Sequence, residues 1–67
     1  MQIKEVEILT GMTRANIRFY EKQGLLNRTT RNEYNYRDYT EEDVQQLKRI
    51  KVLRMMGVSP DDVKLLL

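Results

Sequence analysis

Arg14, Arg18 and Lys22 recur every four residues in the stretch TRANIRFYEKQGLL. At about 100° per helical residue they fall within an arc of about 80°, while Ile17 and Tyr20 lie on a separate, apolar side. A helix divided in this way offers one face to a core and a cationic face outward. Thr13, Ala15 and Asn16 lie on the N-terminal half of the outward face, all of them short or hydrogen-bonding. Against a duplex, such residues can approach base edges: asparagine suits adenine, alanine suits a thymine methyl, and arginine or lysine reaches bases or phosphates. Against water, the same stripe is an ordinary solvated face. These residues alone leave both readings open.

Other chemistry is thinly provided. The chain has no histidine and no cysteine, which removes the usual general bases, nucleophiles and transition-metal ligands. Glu41, Glu42 and Asp43 are adjacent carboxylates at what reads as a helix start, where they complement the helix dipole. These residues argue against an enzyme, and no catalytic residue, metal or cofactor is expected.

Sixty-seven residues allow one domain, near the lower limit for a core without staples. The absence of cysteine is a weak pointer to a reducing compartment. No apolar run approaches the ~18 residues of a membrane span, and MQIKEVEI alternates charges with aliphatics, unlike a signal peptide. Net charge is only +2, yet it comes in blocks. Six basic residues face two acidic ones between Thr13 and Arg37; four acids follow between Asp38 and Asp43, then four bases between Lys48 and Arg54. A polarised surface is expected.

Punctuation divides the chain. Apolar residues at 3, 6 and 9 or 10 predict a short helix ending at Gly11. Thr13 is a good N-cap for a second helix over 14–23, with Gly24 as its left-handed stop. Two short helices joined by a glycine-containing turn make a helix-turn-helix pattern. The segment NRTTRNEYNYRDY reads as a β-hairpin, with strands near 27–30 and 35–39. Its Tyr34 is expected to hold the hairpin to the helices. Thr40 caps a third helix whose Val44, Leu47, Ile50 and Leu53 recur at spacing three, closed by Gly57. Ser59 and Pro60 then open a fourth helix running to Leu67, whose terminal leucines suggest that the natural polypeptide continues. The expected fold is mainly α with a small β-hairpin: a winged helix-turn-helix of about four helices plus a two-stranded wing. Its parts are a helix-turn-helix over 3–24, a wing over 25–39 and a second helix pair over 41–67.

A cationic helix followed by a ribbon carrying Arg28, Arg31, Tyr36, Arg37 and Tyr39 suits a duplex, with the helix in the major groove and the wing on flanking phosphates or the minor groove. The segments LTGMTRANIRFYEKQGLL and YNYRDYTEEDVQQLKRIKVLRMMGVSPDDVKLLL together resemble the N-terminal DNA-binding domain of MerR-family transcriptional regulators. The shared pieces are TG-x-T, I-R-F-Y-E, GLL, Y-R-x-Y, T-E-E-D and G-V-S-P, in order across nearly the whole chain. Asn35 departs from the pattern, standing where a glycine usually precedes Tyr-Arg.

The resemblance implies that the second helix is the recognition helix, with Arg14 and Ala15 near bases and Asn16 at a variable reading position. It implies backbone contacts from Thr13, Arg18 and Tyr20, while Phe19 packs mostly inside. In the wing, Tyr36 and Arg37 match phosphate contacts, with Arg31 and Tyr39 as weaker candidates. The last two helices would form a second wing, with Arg54 or the amide of Ser59 near phosphate. It further implies a cytoplasmic, nucleoid-associated bacterial regulator. Such a regulator acts as a homodimer on double-stranded promoter DNA, distorts that DNA, and affects RNA polymerase through the promoter. Dimerisation would come from a helix after Leu67 and sensing from a further effector domain, neither within this chain. Two alternatives fit the same scaffold: a stand-alone architectural DNA-binder of the excisionase or phage-packaging type, and a winged helix that binds protein rather than DNA.

Overall fold

The computed structural model describes residues 1–26, 30–31 and 37–67, with the backbone alone at 30, 31 and 37. Four helices dominate: α1 (Ile3–Thr10), α2 (Arg14–Lys22), α3 (Glu41–Met55) and α4 (Pro60–Leu66). Between α2 and α3, the two-residue strands β1 (Thr30–Arg31) and β2 (Arg37–Asp38) pair antiparallel, Thr30 opposite Asp38 and Arg31 opposite Arg37. The remainder of the expected hairpin, including Arg28, Tyr34, Asn35 and Tyr36, lies outside the described residues.

Helices α2, α3 and α4 each begin where a side chain can satisfy a free amide. Thr13 Oγ1 accepts from the Asn16 amide at 3.2 Å, and Ser59 Oγ accepts from the Asp62 amide at 3.2 Å. Thr40 and Asp43 form a reciprocal capping box: the Asp43 amide donates to Thr40 Oγ1 at 3.2 Å, and the Thr40 amide donates to Asp43 Oδ2 at 3.0 Å. Helix α1 has no side-chain cap. It stops at Gly11, whose φ of 70° is left-handed.

Val6, Met12, Ile17, Tyr20, Leu26, Tyr39, Val44, Leu47, Ile50 and Val63 make the core, contributed by every helix and by the segment after β2. The spacing in α3 places Val44, Leu47 and Ile50 inside as expected, with Leu53 packed at the margin. In α1 the inward positions are Val6 and Thr10, while Leu9 is exposed. Thr10 is tolerated there because its hydroxyl donates to the Val6 carbonyl at 2.7 Å and accepts from the Met12 amide at 3.2 Å.

Long-range polar links fix the helices to one another. Lys51 Nζ on α3 donates to the Thr10 carbonyl at 3.1 Å, supplying a cation to the last turn of α1, which carries no basic residue of its own. The Tyr39 amide donates to the Met1 carbonyl at 2.8 Å. The Met1 amine donates to the Tyr39 carbonyl and to Asp38 Oδ1, both at 2.6 Å. The segment leaving β2 is thereby tied to the start of the helix-turn-helix.

Candidate nucleic-acid interface

Helix α2 buries Ile17 and Tyr20, and that choice orients everything else on it. With those two inside, Arg14, Ala15, Asn16, Arg18 and Phe19 are all exposed. Lys22 is exposed as well, so the three cations of the stripe share the outer face. Every residue expected to read bases, Arg14 to Asn16, lies at the exposed N-terminal end of this helix. The Thr13 cap leaves its hydroxyl bonded to the Asn16 amide while the residue itself stays exposed.

Two neighbouring aromatics divide between surface and core. Phe19, expected to pack inside, is 43% exposed, and Tyr20, expected at the DNA backbone, is 6% exposed and part of the core. The cause is helical phase: Tyr20 stands three residues after the fully buried Ile17, so it shares that inward face, and Phe19 is carried about 100° outward. Their rings meet edge-to-face at 5.1 Å, which leaves Phe19 resting on the core's outer edge.

Tyr39 is also anchored in the core. This weaker candidate for DNA contact is 2% exposed, and its hydroxyl donates to Glu21 Oε2 at 3.0 Å. Its ring belongs to the core and its polar tip to α2. Tyr39 thus acts as a strut between α2 and the strand pair.

Arg14 has a partner that the sequence did not suggest. Its Nε donates to Glu7 Oε1 on α1 at 2.7 Å, with side-chain exposures of 50% for Arg14 and 30% for Glu7. Seven residues separate them, and only the crossing of α1 over α2 brings them together.

At the opposite end, Arg54 Nη1 donates to the Val58 carbonyl at 2.9 Å, and Ser59 caps α4. Both remain exposed, at the turn between α3 and α4. The side chains of Arg31 and Arg37, with Tyr36, lie outside the described residues. Among the described residues no group of carboxylates is arranged to hold a metal ion, and no helix is long and apolar enough to cross a membrane.

Comparison with known proteins places this arrangement. The chain is 39% identical over 67 residues to the HTH-type transcriptional regulator CueR of Vibrio cholerae serotype O1, covering all of this chain and 48% of that protein. It is 38% identical over 66 residues to the HTH-type transcriptional regulator ZntR of Escherichia coli K12, covering 98% of this chain and 47% of that one. The chain therefore spans about half the length of the curated relatives it matches. Among solved structures, it is similar to HiNmlR, a MerR family regulator lacking the sensor domain, bound to promoter DNA. The TM-score is 0.86 at 33% identity, over 96% of this chain and 48% of that one. The transcription regulator PbrR691 from Ralstonia metallidurans CH34, in complex with lead(II), matches with a TM-score of 0.88 at 33% identity, over 98% and 52%. The profile of the MerR HTH family of regulatory proteins covers residues 1–67, and the chain belongs to that family.

Proposed function

We propose that this chain is the DNA-binding part of a MerR-like transcriptional regulator, binding double-stranded promoter DNA in a sequence-specific way. The observation that carries the reading is the outer face of α2: Arg14, Arg18 and Lys22 exposed on one side of a helix held by a buried Ile17 and Tyr20. Its likeness to a promoter-bound relative supports the same reading. In it, α2 enters the major groove, Arg14, Ala15 and Asn16 meet base edges, and Arg18 neutralises a phosphate. Tyr36 and Arg37 reach phosphate from a wing built on the β1–β2 pair, with Arg31 beside them, and Arg54 and the Ser59 amide form a second, weaker contact. The rings of Tyr20 and Tyr39 pack in the core, so these two stand behind the exposed cations as candidates for backbone contact.

The complete regulator works as a homodimer in the bacterial cytoplasm, joined through residues beyond those present, and acts on RNA polymerase by distorting the promoter. It is not an enzyme, and the chain needs no cofactor for binding.

The test is a mobility shift on duplexes selected from a random pool. Wild-type chain should retain selected duplexes with strong salt dependence, and Arg18→Ala should weaken binding across all sequences while lowering the salt slope by about one. Absence of binding to any duplex at low salt would sink the proposal, and would favour a winged helix that binds protein.

A further inference from the structure

The contact between Arg14 and Glu7 stands apart from the rest of the molecule's electrostatics. Helix α3 starts with Glu41, Glu42 and Asp43, and α4 starts with Asp61 and Asp62, so both place carboxylates where the helix dipole favours them. Helix α2 has no acidic residue in its first turn and begins with Arg14 itself, a cation at the end that disfavours one. Stability does not explain that choice, and a local rule broken on an exposed, ligand-facing turn points to function. The missing negative charge arrives from another helix. Glu7 on α1 accepts from Arg14 Nε at 2.7 Å, the short distance of a charge-assisted bond.

The choice of atom matters. A guanidinium can present two donors at once either along its side, through Nε and one terminal nitrogen, or from its end, through both terminal nitrogens. Glu7 occupies Nε, which closes the side-on mode and leaves the end. An end-on pair matches the O6 and N7 acceptors of guanine in the major groove. Because the bridge spans two packed helices rather than one flexible turn, it also holds a rotamer-rich side chain in place before any ligand arrives.

We propose that Glu7 is a positioning residue for sequence reading: it holds Arg14 end-on and so sets a preference for guanine at one base pair of the site. This rests on the assignment of α2 as the recognition helix. Glu7 itself touches no base. It acts through Arg14, and as an exposed surface pair it contributes little to the fold.

The 67-residue chain and its Arg14→Ala, Glu7→Ala and Glu7→Gln variants are each offered a pool of randomised duplexes at low salt, and the bound fraction is sequenced. Circular dichroism melts on each confirm folding. Wild type should enrich guanine at one position, and Arg14→Ala should lose that enrichment. Glu7→Ala should bind the pool at least as well as wild type, since a negative charge beside the duplex is gone. Its guanine preference at the same position should nevertheless fall by roughly threefold or more. Glu7→Gln, which keeps an acceptor for Nε, should retain more of the preference than Glu7→Ala. Equal preference in wild type and Glu7→Ala, with Arg14→Ala still abolishing it, overturns the positioning role and leaves α2 as the reader. Enrichment that survives Arg14→Ala overturns it too. A wild-type chain that enriches no duplex removes the recognition helix first, and this role with it.

Discussion

The Tyr39 hydroxyl donates to Glu21 Oε2 at 3.0 Å, joining the residue that follows β2 to the last turns of α2 across 18 positions of sequence. Because the Tyr39 backbone is also bonded to Met1, one residue holds the base of the strand pair against both helices of the helix-turn-helix. Removing the hydroxyl tests how much of that hold is polar. Tyr39→Phe keeps the buried ring and should lower unfolding free energy by about 1 kcal/mol. In a domain this small, that is a drop in Tm of about 4–8 °C, read by thermal melts. A melt identical to wild type would mean that the ring alone supplies the strut.

The exchange of roles between Phe19 and Tyr20 makes a sharper mutational contrast. Tyr20→Ala empties part of a closed core and should cost about 3–5 kcal/mol, a large share of a small domain's stability. Phe19→Ala removes a ring that is already half in water and should cost about 1 kcal/mol. Urea titration of both variants measures the difference. The reverse ranking would show that α2 is rotated from the phase described above.

Gly11 and Gly24 both have left-handed backbones, with φ of 70° and 78°, but their surroundings differ. A Cβ at Gly11 would lie 2.7 Å from Lys51 Nζ, whereas one at Gly24 would meet nothing within 4 Å. Alanine at Gly24 should therefore cost only the conformational penalty, about 1–2 kcal/mol. Alanine at Gly11 should cost that plus part of the Lys51 bond to the Thr10 carbonyl, since the flexible ammonium must move aside. In a Lys51→Ala background the two substitutions should become equal, as measured by denaturant midpoints. A difference that persists without Lys51 would place its cause elsewhere in the α1–α2 turn.

Much of this fold is written locally. Thr13, Thr40, Ser59, Pro60, Gly11, Gly24 and Gly57 mark helix ends through interactions within four residues, so their roles can be read from short stretches. The division of α2 into a cationic outer face and an Ile17–Tyr20 inner face follows from helical phase alone. The same phase puts the Tyr20 ring in the core. What stayed hidden depends on tertiary approach. Asp43 reads as one of three acids loading a first turn, yet it is 1% exposed because α3 sinks its start into the core once Thr40 satisfies the carboxylate. Glu7 meets Arg14, and Lys51 meets Thr10, only through helix crossings that no spacing rule encodes.

The cap at Thr13 has a consequence for how such a domain can change. Its hydroxyl accepts from the backbone amide of Asn16, not from any side chain in the turn it starts. Arg14, Ala15 and Asn16 can therefore be exchanged for other residues while the helix still begins at the same place and at the same angle. On the proposed reading of α2, the holder and the letters it displays are separate parts. A lineage carrying this turn would then acquire a new vocabulary of sites one residue at a time, without first rebuilding the frame that presents them.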